Sequence, residues 1–424
     1  MIKFSDSEKS APYWKRISEY LPTETVDAMK ELYSIYDTEL VEWFANLYDS
    51  KIGGFYYSNS ARDNLTTVYE GKEYKLLPDS ESTYQALGFA SFSGIGDGLK
   101  YPQFLPEWMK KDVADFIYGL QDPDGYFYHP QWGKDITVSR RARDFNWCRD
   151  ILLQLGRPMR YKTILDVPKE KTESEEILIP EHLKSEKAFL QYLDGMDIPN
   201  KSYHAGNTLI AQVNEIEVRG FLPMLIDYLN SLQHPDRGHW HTETNYYAIN
   251  GVMKLSGLYT RAKRVIPNSD KTSAAVIEAI SSEVPISGIV ELWNTWIAIF
   301  NINQGLINNG GAEEKLISDK INKTLRTDAA RAIRRSAEKI RPFKKADHAF
   351  SYGRDFSSRI SQGAPVAFDR LPEGDVNATL IASSSMVRSV FNALGIYELM
   401  TPLYGKEEGD MFLEIVESKR KCKT

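Results

Sequence analysis

The sequence predicts an all-α fold, because helical periodicity recurs along most of the chain whereas strand patterns are scarce. One set of predicted helices is amphipathic, as expected of helices that cover a core with one face. A second set is apolar on most sides, as buried helices are. Six helices of each set alternate from about residue 20 to the C-terminus. This alternation predicts an (α/α)6 toroid, a six-hairpin barrel of outer and inner helices with minimal β-structure.

Each element follows from its own pattern. The predicted outer helices are residues 26–48, 108–120, 185–193, 221–232, 273–282 and 329–340. The predicted inner helices are residues 83–89, 146–155, 207–213, 245–255, 289–302 and 377–394. Residues 166–187 are charged and poor in aromatic side chains, which predicts an exposed excursion rather than a linker. We therefore expect one toroid domain over residues 1–424.

Composition excludes several classes of protein. The 424 residues are 42% hydrophobic and 26% charged, the balance of a soluble globular protein. The net charge of -6 argues against a nucleic-acid partner, since that needs a basic face. Cys148 and Cys422 give no disulfide framework or zinc pattern, and we expect no metal and no cofactor. No apolar stretch approaches the roughly 20 residues of a membrane span, and no signal peptide is visible, so we expect a cytoplasmic protein. Its oligomeric state is left open.

A turn motif recurs after the outer helices. Residues 119–130 contain Gln121, a Pro-Asp turn, Gly125 and then an aromatic residue, and residues 231–243 repeat this order with Gln233 and Gly238. Residues 53–57 and 348–352 are degenerate copies. Pro and Asp initiate such a turn and Gly supplies a positive φ. We expect positive φ angles at Gly125 and Gly238.

These motifs resemble the Gln-Trp repeat of α/α-toroid proteins, which include squalene and other terpenoid cyclases and protein prenyltransferase β-subunits. Six-hairpin glycosidases and several polysaccharide lyases have similar helical toroids. The resemblance implies the fold over most of the chain. The Asp-x-Asp-Asp motif of class II cyclases is missing from the sequence, as is an Asp/Cys/His zinc set. The resemblance therefore identifies no single family or activity.

Carboxylates recur near the predicted starts of the inner helices. The pairs are Glu81-x-Thr83, Asp144-x-Asn146, Glu243-x-Asn245 and Asp375-x-Asn377. Inner helices of a toroid start at one mouth, so these acids would gather there as helix caps. Acid/base hydrolysis also needs two such carboxyls, about 5–10 Å apart. We predict Asp144, Glu243 and Asp375 as catalytic residues, and the two roles are compatible.

Other side chains near this mouth form the predicted substrate site. Aromatic residues of the turns would stack on a ligand, and His239-x-His241 would supply an acid/base pair or, as the less favoured alternative, two metal ligands. Arg143, in the Arg140–Arg143 run, would bind a carboxylated sugar, unless this run is only a solvated charged face. His204 and Asn207, near Tyr246, would suit β-elimination, in which an amide neutralises the substrate carboxylate. The predicted binding residues are Tyr126, Trp132, Arg143, His204, Asn207, His239, His241, Tyr246, Tyr352 and Glu373.

Four functions are compatible with these patterns. The leading hypothesis is a glycoside hydrolase that acts on an oligosaccharide with paired carboxylates, an argument by fold analogy. A polysaccharide lyase acting on uronate sugars would instead make a product that absorbs in the ultraviolet. A terpenoid cyclase or prenyl-binding relative would have a deep apolar cavity. In a non-catalytic binding toroid, all the carboxylates would serve as caps.

Overall fold

The computed structural model describes residues 3–64 and 66–421, and this part of the chain is mostly helical. Helix accounts for about 60% and strand for about 6%, which confirms the all-α prediction. The helices are α1 Ala11–Ser18, α2 Thr23–Tyr33, α3 Glu39–Asn46, α4 Asn59–Asp63, α5 Ser80–Phe92, α6 Tyr101–Phe104, α7 Glu107–Leu120, α8 Val138–Gln154, α9 Glu186–Asp194, α10 Ile198–Ala211, α11 Val213–Val218, α12 Leu222–Leu232, α13 Tyr246–Ala262, α14 Ser269–Ser281, α15 Ile289–Asn309, α16 Ala312–Ile340, α17 Val376–Leu380, α18 Met386–Ala393 and α19 Lys406–Lys421.

Within residues 3–64 and 66–421, the strands form three separate antiparallel hairpins. They are β1 Tyr48–Asp49 with β2 Gly54–Phe55, β3 Thr66–Tyr69 with β4 Lys72–Lys75, and β5 Ile360–Ser361 with β6 Ala364–Pro365. The turn of the last hairpin has positive φ at both Gln362 and Gly363. This is the geometry of a two-residue hairpin turn whose twist matches the strands.

All twelve predicted helices overlap observed ones, with differences at their ends. Residues 26–48 divide into α2 and α3, and α16 begins at Ala312, well before the predicted start. Residues 377–394 contain a π-helical turn at Ile381–Ser385 between α17 and α18, where Ser383 leaves helical geometry. Local periodicity therefore located the helices, while their lengths depend on tertiary contacts.

Six helical segments, here called the central helices, contact one another in sequence. α5 packs on α8, α8 on α10, α10 on α13 and α13 on α15. α15 then packs on α18, and α17, which precedes α18 in the same segment, packs back on α5. Other helices pack outside them: α7 on α8, α12 on α13, and α14 and α16 on α15. The contacts thus return to the helix from which they started.

Two predicted helix starts were misplaced by several residues. Helix α8 is capped by Thr137, whose Oγ1 accepts the Arg140 N–H at 3.0 Å, so Asp144 lies in the second turn and does not open the helix. Helix α5 is capped by Asp79 and not by Glu81. The side chains that accept the first free N–H groups set a helix start, and at both sites another residue does so.

The remaining two starts agree with prediction. Asn245 caps α13 by accepting the Ala248 N–H at 2.9 Å, and Asp375 caps α17 by accepting the Ala378 N–H at 2.8 Å. Glu243 lies two residues before its helix cap, on the surface.

The turn motifs have the predicted geometry, with φ of +93° at Gly125 and +70° at Gly238. Their glutamines fix the turns to the following loops. Gln121 Oε1 accepts the Arg160 N–H at 2.8 Å, and Gln233 Nε2 donates to the Pro267 carbonyl at 2.8 Å. The repeated glutamine therefore positions backbone some 35–40 residues further along the chain.

Residues 166–187 are only partly an exposed excursion. The charged stretch 168–173 is exposed, but Ile177, Ile179 and Leu183 are buried. The Leu178 N–H donates to the Asp124 carbonyl at 2.9 Å, which fastens the segment to the first turn motif. Its apolar residues face the core, because burying them stabilises the fold more than exposure would. One cluster of buried apolar side chains extends on both sides of this segment.

Within the described ranges, every helix is too short or too polar to cross a lipid bilayer.

Candidate functional site

A polar cavity of about 340 Å³ lies among the central helices. The segment that leads into and turns the β5–β6 hairpin contributes Ser358, Ile360, Ser361 and Gln362 to its wall. A larger groove of about 590 Å³ lies between α14 and α16, but its wall is mostly apolar. Convergent polar groups in a cavity mark a ligand site, so the central cavity is the candidate. Its main polar residues are Tyr57, Glu81, Gln85, Arg143, Tyr203, Asn207, Lys254, Asn294, Tyr352, Gln362 and Asn377.

One side of the cavity carries a guanidinium group with an unfilled donor. Arg143 donates from one terminal nitrogen to Asn207 Oδ1, and Asn207 Nδ2 donates to Gln362 Oε1 at 2.8 Å. Arg143 Nε is buried without a hydrogen-bond partner, and no carboxylate of the described chain lies within ion-pair distance of this guanidinium. The predicted binding residues Arg143 and Asn207 therefore meet in the cavity.

Lys254, from the middle of α13, also lines the cavity. Its Nζ lies 6.0 Å from the centre of the Tyr203 ring, and it makes no hydrogen bond or ion pair within residues 3–64 and 66–421. Burial lowers the pKa of Lys254 to about 7, and the positive charge of Arg143 acts in the same direction.

Tyrosines line the cavity near these two cations. Tyr203, the predicted Tyr352 and Asn294 all line the cavity. Burial raises the pKa of both tyrosines. Their hydroxyls are therefore protonated at neutral pH and are available as hydrogen-bond donors.

Glu81 is the acidic residue of the cavity wall, and its carboxylate forms an ion pair with Arg140. Arg140 is fully buried and binds three carboxylates, with Asp144 at 3.0 Å, Glu81 at 2.9 Å and Asp79 at 3.3 Å. Burial raises the pKa of Glu81 and Asp144, and Arg140 opposes this rise. Asp144 thus belongs to a buried ion cluster behind the cavity wall.

Trp132 lies in the same cluster and does not line the cavity. The Arg140 guanidinium lies 4.3 Å from the Trp132 ring centre and 5.5 Å from that of Trp147. Cation–π contacts of this kind stabilise a desolvated guanidinium. We expected Trp132 to stack on a ligand, but it stacks on Arg140.

Asp375 and Glu373 lie outside the cavity wall and hold neighbouring segments in place. Asp375 Oδ2 accepts the Tyr352 N–H at 2.9 Å, in addition to its role as cap of α17. Burial raises the pKa of Asp375 to about 7. Glu373 accepts the Ser60 N–H and a hydroxyl of Ser58, each at 2.9 Å, and so holds the start of α4. Neither carboxylate lines the cavity.

Glu243 and the histidine pair lie away from the cavity, in the turn before α13. Glu243 is exposed, and its Oε2 accepts from Asn245 Nδ2 at 3.3 Å. His239 is buried, with Nε2 3.0 Å from Thr244 Oγ1, and burial lowers its pKa to about 4. His241 contacts the Asn200 carbonyl at 3.2 Å. These groups hold their own loop together, whereas we had expected them at the mouth.

Three further predicted residues also lie outside the cavity wall. His204 is exposed on α10, although Asn207, one turn later, faces the cavity. The Tyr246 hydroxyl accepts from Lys339 Nζ at 2.6 Å. The Tyr126 hydroxyl donates to Glu215 in the core.

Several residues of the cavity wall were not predicted from the sequence. Lys254 is the single charge in the apolar stretch 245–259, and a lone charge inside a predicted buried helix is a usable signal. Tyr203 precedes Asn207 by four residues, which places both on one helix face. No local sequence pattern indicates that Gln362 lines a cavity, because its position depends on the fold of the hairpin.

One group of possible metal ligands occurs among the described residues, formed by Asp37, Glu39 and His348. Lys344 Nζ lies 2.5 Å from Asp37 Oδ2, so an ammonium group already neutralises this carboxylate. The arrangement does not favour a cation.

Comparisons of this chain with protein-family models, with curated proteins and with solved structures gave no match.

Proposed function

We propose that the protein is a carbohydrate-active enzyme with a six-hairpin α/α-toroid fold, acting on a small carboxylated sugar in the central cavity. The ring of contacts from α5 through α8, α10, α13 and α15, and through α18 and α17 back to α5, supports the toroid. The polar wall supports a sugar over a terpenoid or prenyl ligand, which would need an apolar cavity.

The observation that carries this proposal is Arg143 in the cavity wall. Its guanidinium has no carboxylate partner in the described chain, and its buried Nε lacks a hydrogen-bond acceptor. A guanidinium binds a carboxylate through two parallel hydrogen bonds, and a buried unfilled donor costs free energy until a ligand fills it. Asn207, bonded to Arg143, offers an amide beside the same position.

The cavity favours a short ligand. About 340 Å³ lies at the lower end of the range for small-molecule sites. We therefore favour a mono- or disaccharide over a polymer.

The favoured reaction is β-elimination next to the carboxylate. Neutralisation of that carboxylate by Arg143 and Asn207 would make the proton on the adjacent carbon more acidic. Glu81 in the same wall would accept that proton, and the hydroxyl of Tyr203 or Tyr352 would donate one to the leaving oxygen.

Hydrolysis is the second candidate, because Glu81 lines the cavity and burial raises its pKa, as in a general acid. The paired-carboxylate mechanism needs a second acid, and Glu81 is the only one among the residues lining the described cavity. Of the predicted catalytic acids, Asp144 is bound by Arg140 and Asp375 by backbone N–H groups. This difference makes elimination the better supported reaction.

Ligand-induced thermal stabilisation tests the proposal. We expect galacturonate or glucuronate disaccharides to raise the Tm more than the matched neutral disaccharides. Arg143→Gln should abolish this difference in Tm. The control Arg149→Gln, which changes a residue on the outer part of α8, should retain it. Equal effects of neutral and carboxylated sugars, or none from either, would contradict the proposal.

The product separates the two reactions. Elimination gives an unsaturated uronate that absorbs in the ultraviolet, whereas hydrolysis gives a new reducing end without that absorbance. Binding without either product would indicate a non-catalytic toroid.

A further inference from the structure

Lys254 lines the cavity, and its side chain leaves α13 where this helix packs on α10. Its helix, α13, packs closely on α10, and a Cβ built on Gly206 of α10 would lie 2.9 Å from Lys254 Cβ. Only a residue without a side chain allows the two helices to approach so closely at this point. The stem of Lys254 is therefore clamped at its base while its amine lines the cavity.

The amine has no partner, unlike comparable lysines of this chain. Lys339 Nζ is also partly buried, but it donates to the Tyr246 hydroxyl and the Ser282 carbonyl, both at 2.6 Å. Lys344 Nζ binds Asp37. Lys254 makes no such contact within the described chain, where the closest feature is the Tyr203 ring. Lys254 is half-buried, and an unpaired ammonium group withdrawn from water is costly, so loss of its proton removes this cost.

The surroundings of Lys254 favour the neutral amine. The titratable groups that share its cavity are Glu81 from α5, Arg143 from α8, Tyr203 from α10, and Tyr57 and Tyr352 from loops. The Glu81 carboxylate pairs with Arg140 at 2.9 Å and not with Lys254, and the tyrosines are uncharged at neutral pH. The neighbouring α15 offers only Val290, Trp293 and Asn294 to the cavity. Arg143 thus remains as the charge that acts on Lys254, and it lowers the pKa, as burial does.

Desolvation beside a second cation is a recognised way to turn a lysine into a nucleophile. We infer that Lys254 forms an imine with a small 2-oxo acid in the central cavity, the carboxylate of this ligand being bound by Arg143. The inference shares the role of Arg143 with the proposed function, but it does not require the ligand to be a sugar.

The step balances without a further reactant. The lone pair of Lys254 Nζ forms a bond to the ligand's carbonyl carbon, and the carbonyl π electrons move to oxygen, which takes the proton released by nitrogen. The resulting carbinolamine loses its hydroxyl group with one more proton as water, and the nitrogen lone pair forms the C=N bond. No group is oxidised or reduced.

Reductive trapping tests the inference on the full chain. Incubation with pyruvate and sodium cyanoborohydride at pH 7 should convert the imine to a stable secondary amine, and peptide mass spectrometry should locate the adduct on Lys254. A lysine with a pKa near 7 is about half neutral at pH 7, against about one part in 2,500 for an ordinary lysine. We expect Lys254 to react on the order of a hundredfold faster than exposed Lys201, and acetone, which lacks the carboxylate, to react much more slowly.

Variants distinguish loss of the reaction at Lys254 from loss of the folded structure. Lys254→Arg and Lys254→Met should each remove the adduct while circular dichroism remains unchanged, and Lys339→Arg should retain it. Arg143→Gln should slow trapping, because it removes both the carboxylate ligand and the charge that favours the neutral amine. Trapping should also decrease below pH 7 as the amine gains a proton.

The inference is overturned if Lys254 reacts no faster than Lys201 or if pyruvate shows no advantage over acetone. These results are independent of the thermal-shift experiment. Stabilisation by uronates without trapping would support the proposed function alone, and trapping without stabilisation would support the imine site alone.

Discussion

Asp79 and Asp375 cap neighbouring central helices, α5 and α17, and two hydrogen bonds of each residue are equivalent. Each side chain accepts the N–H three residues further on, at 3.1 Å and 2.8 Å respectively. The N–H of Asp79 donates to the Phe55 carbonyl at 3.4 Å, and that of Asp375 to the Phe350 carbonyl at 2.9 Å. The two degenerate turn copies therefore contact the two caps in equivalent ways.

The first prediction concerns the threonines that complete this arrangement. Thr83 Oγ1 accepts the Phe55 N–H and Thr379 Oγ1 accepts the Phe350 N–H, both at 3.0 Å. Thr83→Val and Thr379→Val should each lower the free energy of unfolding by about 1–3 kcal/mol, because a buried N–H loses its acceptor. Urea denaturation measures this loss. Thr208→Val is the control, since its hydroxyl bonds only a carbonyl within its own helix, and an equal loss there would contradict the argument.

The second prediction concerns the turn glycines. Gly238 has φ of +70°, and a Cβ there would lie 2.4 Å from the Thr272 nitrogen. Gly220 has φ of +80° but no atom within 4 Å of such a Cβ. Gly220→Ala should therefore cost only the backbone strain of about 1–2 kcal/mol, and Gly238→Ala should cost more. Thermal unfolding compares the two, and equal changes in Tm would show that the turn does not pack as described.

The third prediction concerns Arg140 and its three carboxylates. Arg140→Gln should destabilise the protein by about 3–5 kcal/mol, because it leaves buried carboxylates without a cation. Arg140 lowers the pKa of Glu81 and Asp144, so its removal raises the pKa of both in the folded state and the loss should be smaller at pH 5 than at pH 8. Urea denaturation at both values tests this sign. The surface variant Arg335→Gln should change stability little at either pH.

The fourth prediction uses the pKa of Asp375, which burial raises to about 7, against about 3.9 in an unfolded chain. The folded state therefore binds the proton more tightly. The contribution to stability is fully present below about pH 4 and is lost as the pH rises through about 7. Asp375→Asn does not titrate, so its stability deficit relative to the unmodified protein should shrink from pH 5 to pH 8. A constant deficit would contradict this, and exposed Glu243→Gln serves as the control.

The fifth prediction concerns Gln362 at the tip of the β5–β6 hairpin. Its side chain bonds Asn207 Nδ2 at 2.8 Å and Ser139 Oγ at 2.9 Å, so it orients the amide beside Arg143. Gln362→Ala should weaken binding of a carboxylated ligand about tenfold, worth about 1.4 kcal/mol, and leave the Tm nearly unchanged. Calorimetric titration measures this change. A large decrease in Tm with intact binding would assign Gln362 a structural role.

The sequence by itself predicted the locations of the helices, the all-α class and the positive φ angles of the turn glycines. Each of these depends on neighbours within a few residues: apolar spacing for a helix, and a Pro-Asp-Gly order for a turn. It also predicted Arg143, Asn207 and Tyr352 as binding residues, and these three line the cavity. Asn245 and Asp375 were recognised as helix openers for the same local reason.

Only the tertiary structure decided which charged side chains face the cavity. Arg140 and Arg143 lie three residues apart on α8, yet one is enclosed by three carboxylates and the other has none. Those carboxylates include Asp79 and Glu81, some 60 residues earlier in the chain. Lys254 has no partner in the described part of the chain, because α10 and α15 bring no acid to the cavity and Glu81 of α5 pairs with Arg140. The charge of each group depends on its burial and on partners that lie far away in the sequence. Local sequence patterns do not contain this information.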